Sequence, residues 1–257
     1  MTELEKTVDI LLDVYAYNHA LKIAKTIPGF SPTSLYLIEL LKERRELNLD
    51  FLYQHQKENQ AIEAQTAMSL EMNSGVEEEQ IANYLLDLEV KVKNGEIIDF
   101  VRSVSPILYR LFLRLLRKEI PSFDSYIFDS KNDQYDTWNF EQMKEAGNPI
   151  FDRFLSRKQS RNVTTSSLVE LLRASTLVDD IKETITTLRK FEKSVRNPLA
   201  HLIKAFDEEE LHRTTDFSSQ EFLEKIIDLA VFTGVSYQRD PFYFDQVNAL
   251  IEAGFQI

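Results

Sequence analysis

Between Pro32 and Gly75 the chain contains neither glycine nor proline, and other long stretches are almost as poor in residues that stop a helix. Glycine supplies left-handed backbone and proline removes a hydrogen-bond donor, so both punctuate a fold rich in turns. With 6 glycines and 7 prolines in 257 residues, many-stranded β structure is disfavoured and long helices are expected. The apolar pattern agrees. Leu4, Val8, Leu11, Leu12 and Tyr15 recur at helical spacing behind Thr2-x-x-Glu5, a capping box. Breaks follow at "IPGFSP" (27–32), at Asn73-Ser74-Gly75 and at Asn94-Gly95. The acidic run Glu77-Glu78-Glu79 suits a helix N-terminus.

A very apolar helix is predicted over about 96–118, interrupted or kinked by Pro106. Its Arg110, Arg114 and Arg117 fall on one face beside Lys118, a stripe able to line a polyanion groove or to pair with neighbours. From Pro121 to Pro149 the periodicity fades, and the aromatic, turn-rich sequence predicts a long connection packed onto the core. Helices are expected near 149–158, 166–174 and 178–194. Another starts at Ser218, with Glu221 completing a capping box and Phe217 and Phe222 as a hydrophobic staple. Gly234 and Gly254 stand at helix C-termini. No alternating strand pattern is present, and the sequence predicts an all-α helical bundle.

Composition removes several chemistries. The chain has no cysteine, so disulfides, thiol catalysis and thiolate metal sites are excluded. Neither GxGxxG nor GxxxxGK[ST] occurs, and no pair among His19, His55, His201 and His212 has zinc-ligand spacing. Asp179, Asp180 and Glu183 sit in the first turn of a predicted helix, where acidic residues belong without any metal. The expectation is no cofactor and no metal. The N-terminus is acidic and amphipathic and no apolar run reaches membrane-spanning length, so a cytoplasmic protein with no membrane contact is expected.

A net charge of −12 disfavours broad binding to nucleic acid, yet the average conceals an asymmetry. Arg153 to Lys204 carries 11 Lys/Arg against 5 Asp/Glu, a balance of +6, leaving −18 for the rest. Such a segment either marks a confined anion site or balances acidic helices elsewhere.

Near its end stands "SVRNPLAHLIKAF" (194–206). Asn197 is a favoured N-cap and Pro198 a favoured first helical residue, so a helix is predicted to begin there. Arg196 then lies just outside the helix and His201 one turn inside. The first N–H groups of a helix form an anion site, arginine adds a bidentate phosphate contact, and histidine titrates near neutrality. That set suits metal-independent RNA cleavage, in which the 2′-hydroxyl attacks the neighbouring phosphorus and an arginine stabilises the pentacoordinate phosphate. On the residues alone, a buried histidine bonding local backbone fits equally well. With 14 arginines and 4 histidines, the bare spacing carries no weight.

The string "RNPLAH" resembles the R-x(4–6)-H signature of HEPN domains, all-helical ribonucleases and toxin-like effectors. Its R-N-x-x-A-H form is most similar to the type III-A CRISPR accessory ribonucleases, which couple a CARF sensor to a C-terminal HEPN domain. "YAYNHALKIAK" (15–25) also resembles the helical region that precedes HEPN there. The resemblance implies a helical region over 1–95 and a HEPN-like ribonuclease domain over 96–257. It makes Arg196 and His201 the catalytic pair with Asn197 in support. Lys193 and Lys204 flank the motif as candidate RNA contacts. It further implies a single-stranded RNA substrate and a homodimer whose two motifs form one composite site. No α/β segment of the CARF kind precedes the helices, so control by a cyclic oligoadenylate is expected only through a sensor domain absent from this chain. The rival readings are a non-catalytic helical module for dimerisation or partner binding, and the toxin of a HEPN toxin–antitoxin pair.

Overall fold

The structure, a computed structural model, describes residues 2–66, 68–128, 136–157, 159–196, 199 and 205–254; of Arg196 it describes the backbone alone. Among the described residues the chain is all-α apart from one minimal β-ribbon. It divides into two compact units, one formed by 1–94 with 234–257 and the other by 95–233. Both boundaries fall at glycines with positive φ, Gly95 (70°) and Gly234 (96°), which follow helix ends as the sequence predicts.

The first unit holds α1 (Glu3–Asp13), α2 (Tyr17–Ala24), α3 (Pro32–Arg45), α4 (Asp50–Gln54), α5 (Gln56–Thr66) and α6 (Val76–Lys93), together with the helix Tyr243–Glu252. The Thr2–Glu5 capping box forms. One helix was expected to reach residue 26, but Tyr15 takes φ 58° and divides it. The ring of Tyr15 packs against Phe242 and Phe244, and its hydroxyl donates to Asp245 Oδ1 at 2.8 Å. These contacts lie more than 200 residues away in sequence and leave no local trace.

A polar knot fixes the centre of this unit. Arg44 is fully buried and donates to Asn83 Oδ1 (2.9 Å), Glu79 Oε1 (2.7 Å) and the Leu70 carbonyl (2.5 Å), with its guanidinium 4.8 Å from the Tyr243 ring centre. Glu79 also accepts from the backbone N–H groups of Met72 and Asn73. The last member of the acidic run therefore does more than complement a helix dipole. It is the counter-charge of a buried arginine.

The second unit is built on α7 (Ile97–Glu119), which runs unbroken through Pro106 and buries Phe100, Leu108, Leu111, Phe112 and Leu115. Beyond it the described part of the 121–149 connection, which leaves out 129–135, buries Phe123 and Trp138 against the core and against the helix that follows. Phe123, Trp138, Phe151 and Phe154 are buried, and Trp138 meets Phe123 and Phe154 edge to face. Within it β1 (Ile127–Phe128) pairs antiparallel with β2 (Thr137–Trp138), strands too short to show a period of two. There follow α8 (Phe140–Glu145), α9 (Pro149–Leu155), α10 (Thr165–Ala174), α11 (Asp179–Phe191), a π-helical turn Glu192–Arg196, α12 (Glu208–Thr215) and α13 (Ser219–Phe232). The Ser218–Glu221 capping box is present, and Phe217 and Phe222 meet at 5.3 Å.

Arg114, Arg117 and Lys118 of the stripe on α7 serve the fold, while Arg110 is exposed. Arg114 donates to Thr233 Oγ1 and to its carbonyl (3.4 and 3.2 Å), Lys118 donates to the Phe232 carbonyl (3.2 Å), and Arg117 pairs with Asp124 (2.9 Å). Cations at the C-terminal carbonyls of α13 complement its negative dipole end. Among the described residues, no helix is long and apolar enough to cross a membrane.

Candidate functional site

The sequence points to residues 193–204, and the structure describes their approach. Helix α11 starts with Asp179 and Asp180 and ends with Arg189 and Lys190, each charge at the dipole end that favours it. Its buried face carries Ile185, Leu188 and Phe191, and burial continues through Glu192, Val195 and Leu199. Phe191 stacks obliquely on Phe222 with ring centres 3.6 Å apart, which fixes the end of α11 against α13. There the helix widens into the π-turn that ends on Arg196. Such turns recur at functional sites because the extra residue re-aims the side chains that follow.

A buried carboxylate holds this turn. Glu192, 5% exposed, accepts from Arg189 Nη1 at 2.8 Å and from Thr165 Oγ1 of α10 at 3.3 Å. Farther on, Arg102 of α7 donates to the Leu199 carbonyl at 3.4 Å. The backbone on either side of Asn197-Pro198 is thus tied to α7, α10 and α13. Asn197, His201 and Lys204 lie outside the described residues, so of the five residues singled out by sequence only the Arg196 backbone and Lys193 are placed. Lys193 is exposed.

Lys193 is among the residues lining a cleft of about 890 Å³ bordered by α9, α10 and α11. Arg153, Arg157, Arg173, Arg189, Lys190 and Lys193 line it, and Glu170 is the one carboxylate among the lining residues. Buried Phe154 and Val169 contribute apolar surface to it. Two of the guanidinium groups are oriented by neutral hydroxyls. Arg173 donates from Nε and Nη2 to Thr186 Oγ1 (3.3 and 3.2 Å), while Arg189 donates from Nε and Nη2 to Ser166 Oγ (3.2 and 2.6 Å). A hydroxyl fixes the plane of a guanidinium without neutralising it. The Arg157–Glu170 pair is long at 3.8 Å, with the arginine side chain 79% exposed, and removes little of the field. Among the described residues, Arg153, Arg173, Lys190 and Lys193 have no carboxylate partner.

The basic segment seen in the sequence is therefore gathered in part on one concave surface, whose lining reaches Lys193, three residues before Arg196. The sequence marks the basic segment from Arg153 onward but does not single out Arg157, Arg173, Arg189 and Lys190 within it, and it gives no sign of the role of Glu192. The charge asymmetry was the available signal; nothing local distinguishes Ser166 and Thr186 as orienting groups. Among the described residues, no group of three His, Asp or Glu side chains is placed to hold a metal ion.

The fold has a counterpart among solved structures. It matches "Enterococcus italicus Csm6 bound to cyclic hexa-2'-fluoro-hexa-dAMP" with a TM-score of 0.69 and 13% sequence identity, covering 98% of this chain and 57% of that one. The chain thus spans little more than half the length of that protein, and the likeness defines a helical fold of the Csm6 type. No curated protein matches the sequence. The sequence model of the Cas_Csm6 HEPN domain matches residues 69–252, most of the chain and all of the motif. The chain belongs to this family of CRISPR-associated HEPN nucleases.

Proposed function

We propose that the chain is a metal-independent endoribonuclease that cuts single-stranded RNA in CRISPR-linked antiviral defence. The observation that carries this reading is the R-N-x-x-A-H string, which lies within the family match and whose first residue, Arg196, ends the π-turn. The 2′-hydroxyl attacks the adjacent phosphorus, the P–O5′ bond breaks, and the leaving 5′-oxygen takes up a proton. His201 serves the proton transfer, Arg196 stabilises charge on the pentacoordinate phosphate, and Asn197 supports the motif's helix start. The products are a 2′,3′-cyclic phosphate and a 5′-hydroxyl, and DNA, which lacks the attacking group, is not cut. Lys193 and Lys204 contact the RNA strand.

The reading includes a homodimer in which two motifs share one composite site, a cytoplasmic location, and a ribonuclease domain over 96–257. The Enterococcus italicus protein is bound to a cyclic oligonucleotide. Comparable control here is proposed only through a sensor domain outside these 257 residues. The test is RNA cleavage by purified protein. His201→Ala abolishes it and EDTA leaves it unchanged; activity that survives the substitution overturns the catalytic assignment, and loss in EDTA overturns metal independence.

A further inference from the structure

The two guanidinium–hydroxyl pairs of the cleft are rungs between antiparallel helices. Ser166 and Arg173 stand seven residues apart on α10, which is about 10 Å along the helix axis. Thr186 and Arg189 answer them on α11. On α11 and the turn that follows it the lining runs from Thr186 to Lys193, seven residues or about 10 Å, and stops three residues before Arg196. The cations thus lie along a path and not around a point. The same rungs end only three residues, about 4.5 Å, apart on α11, and a stacked nucleic-acid strand advances about 3.4 Å per phosphate, so the interval between rungs spans about one to three nucleotides.

The chemistry of the lining selects the ligand class. At Arg173 a guanidinium fork held flat by a neutral hydroxyl alone presents its remaining N–H groups with full charge, the arrangement that matches a phosphate, whereas Arg189 is held in the same way by Ser166 but shares its charge with Glu192 through Nη1. Protein interfaces gain most from exposed aromatic or aliphatic anchors. None of the exposed large apolar residues lines this cleft; Phe154 and Val169, which do, are 1% and 3% exposed. Ser156, Ser166 and Thr186 complete a polar wall with hydroxyls suited to phosphate and ribose.

We infer that the cleft bordered by α9, α10 and α11 binds the sugar-phosphate backbone of single-stranded RNA beside the cleavage point, with the Arg173–Thr186 and Arg189–Ser166 pairs as two phosphate subsites. The identity of the polymer rests on the ribonuclease reading, whereas the location of the site does not. Binding is insensitive to base sequence because the lining offers charge and hydroxyls. It is steeply salt-dependent: the five lining cations other than Arg189, which Glu192 neutralises, give a slope of log affinity against log salt of about −3.5 on a single strand.

The experiment measures fluorescence anisotropy of a labelled, fully 2′-O-methylated single-stranded RNA of about ten nucleotides, a length within the usual range of single-strand sites. This probe cannot undergo 2′-hydroxyl attack, so binding is read apart from cleavage. Arg157→Ala, Arg173→Ala and Lys190→Ala change exposed side chains. Each is expected to weaken binding about three- to tenfold and to reduce the salt slope by about 0.7. Arg173→Lys recovers the slope but only part of the affinity, because lysine keeps the charge and loses the fork. Lys22→Ala and Lys144→Ala, on α2 and α8, leave both unchanged. Circular dichroism verifies that each variant is folded.

Cleavage of unmodified RNA by the same preparations separates the two claims. Wild-type cleavage with binding unaffected by the cleft substitutions overturns the cleft and spares the ribonuclease reading. Binding lost in the cleft variants with no cleavage by wild type supports the cleft and overturns the ribonuclease reading. Competition by a polyglutamate peptide as strong as that by RNA shows an acidic protein ligand and overturns the inference.

Discussion

Replacing Glu192 separates stability, RNA binding and catalysis in opposite directions. The carboxylate is 5% exposed and accepts one charge-assisted bond from Arg189 and one bond from Thr165. Hydrogen bonds to a charged group contribute about 1.5–3 kcal/mol and neutral ones about 0.5–1.5 kcal/mol. The Arg189 side chain is 19% exposed and can take water in place of the lost partner, which discounts the sum. Glu192→Ala is therefore expected to cost about 2 kcal/mol, a fall in Tm of about 4–8 °C for a chain of this size. Glu192→Gln keeps the acceptor and the shape and is expected to cost about 1 kcal/mol. Removing the carboxylate also leaves Arg189 unneutralised beside the cleft, where its bonds to Ser166 persist. Oligonucleotide binding at low salt is then unchanged or tighter. Cleavage falls at least tenfold, because the π-turn that ends on Arg196 has lost its buried anchor. Thermal melts, anisotropy and a cleavage assay on one preparation read all three. A stability loss below about 0.5 kcal/mol, or cleavage at the wild-type rate, refutes the reasoning.

Other consequences follow from the first unit. Arg44→Met leaves the Glu79 carboxylate buried without its cation and is expected to cost about 3–5 kcal/mol in urea unfolding, with Arg44→Met/Glu79→Gln less destabilised than the single variant. Burial holds the Glu89 carboxyl above its ordinary range, against the opposing bond donated by Tyr237 at 2.7 Å. Its proton is thus bound more tightly in the folded state, so stability falls as pH rises through the ordinary carboxylate range toward the raised value. Glu89→Gln removes that decline, and Tm measured against pH becomes flatter in this window.

What the sequence discloses about the fold depends on distance along the chain. Caps, glycine stops and helical periods are local, and Thr2–Glu5, Ser218–Glu221, Gly95 and Gly234 behave as their neighbours dictate. Tyr15 divides a helix because of Phe242, Phe244 and Asp245, and Glu79 is buried because of Arg44; neither partner is visible within a helical window. The stripe at Arg114, Arg117 and Lys118 has the spacing of a groove lining, yet it closes the end of α13 and meets Asp124. The candidate site divides in the same way. Charge density located the segment from Arg153 onward, because composition survives without geometry. Which cations face one cleft, and which hydroxyls orient them, depends on the pairing of α10 with α11, which no short motif encodes.

The most direct test of the account is the chemistry of the cut ends. Purified protein is incubated with single-stranded RNA in EDTA, beside His201→Ala, and the products are analysed for terminal groups. The account predicts 2′,3′-cyclic phosphate and 5′-hydroxyl ends from the wild type and no cut from the variant. Products with 3′-hydroxyl and 5′-phosphate ends, or equal cleavage by His201→Ala, contradict it.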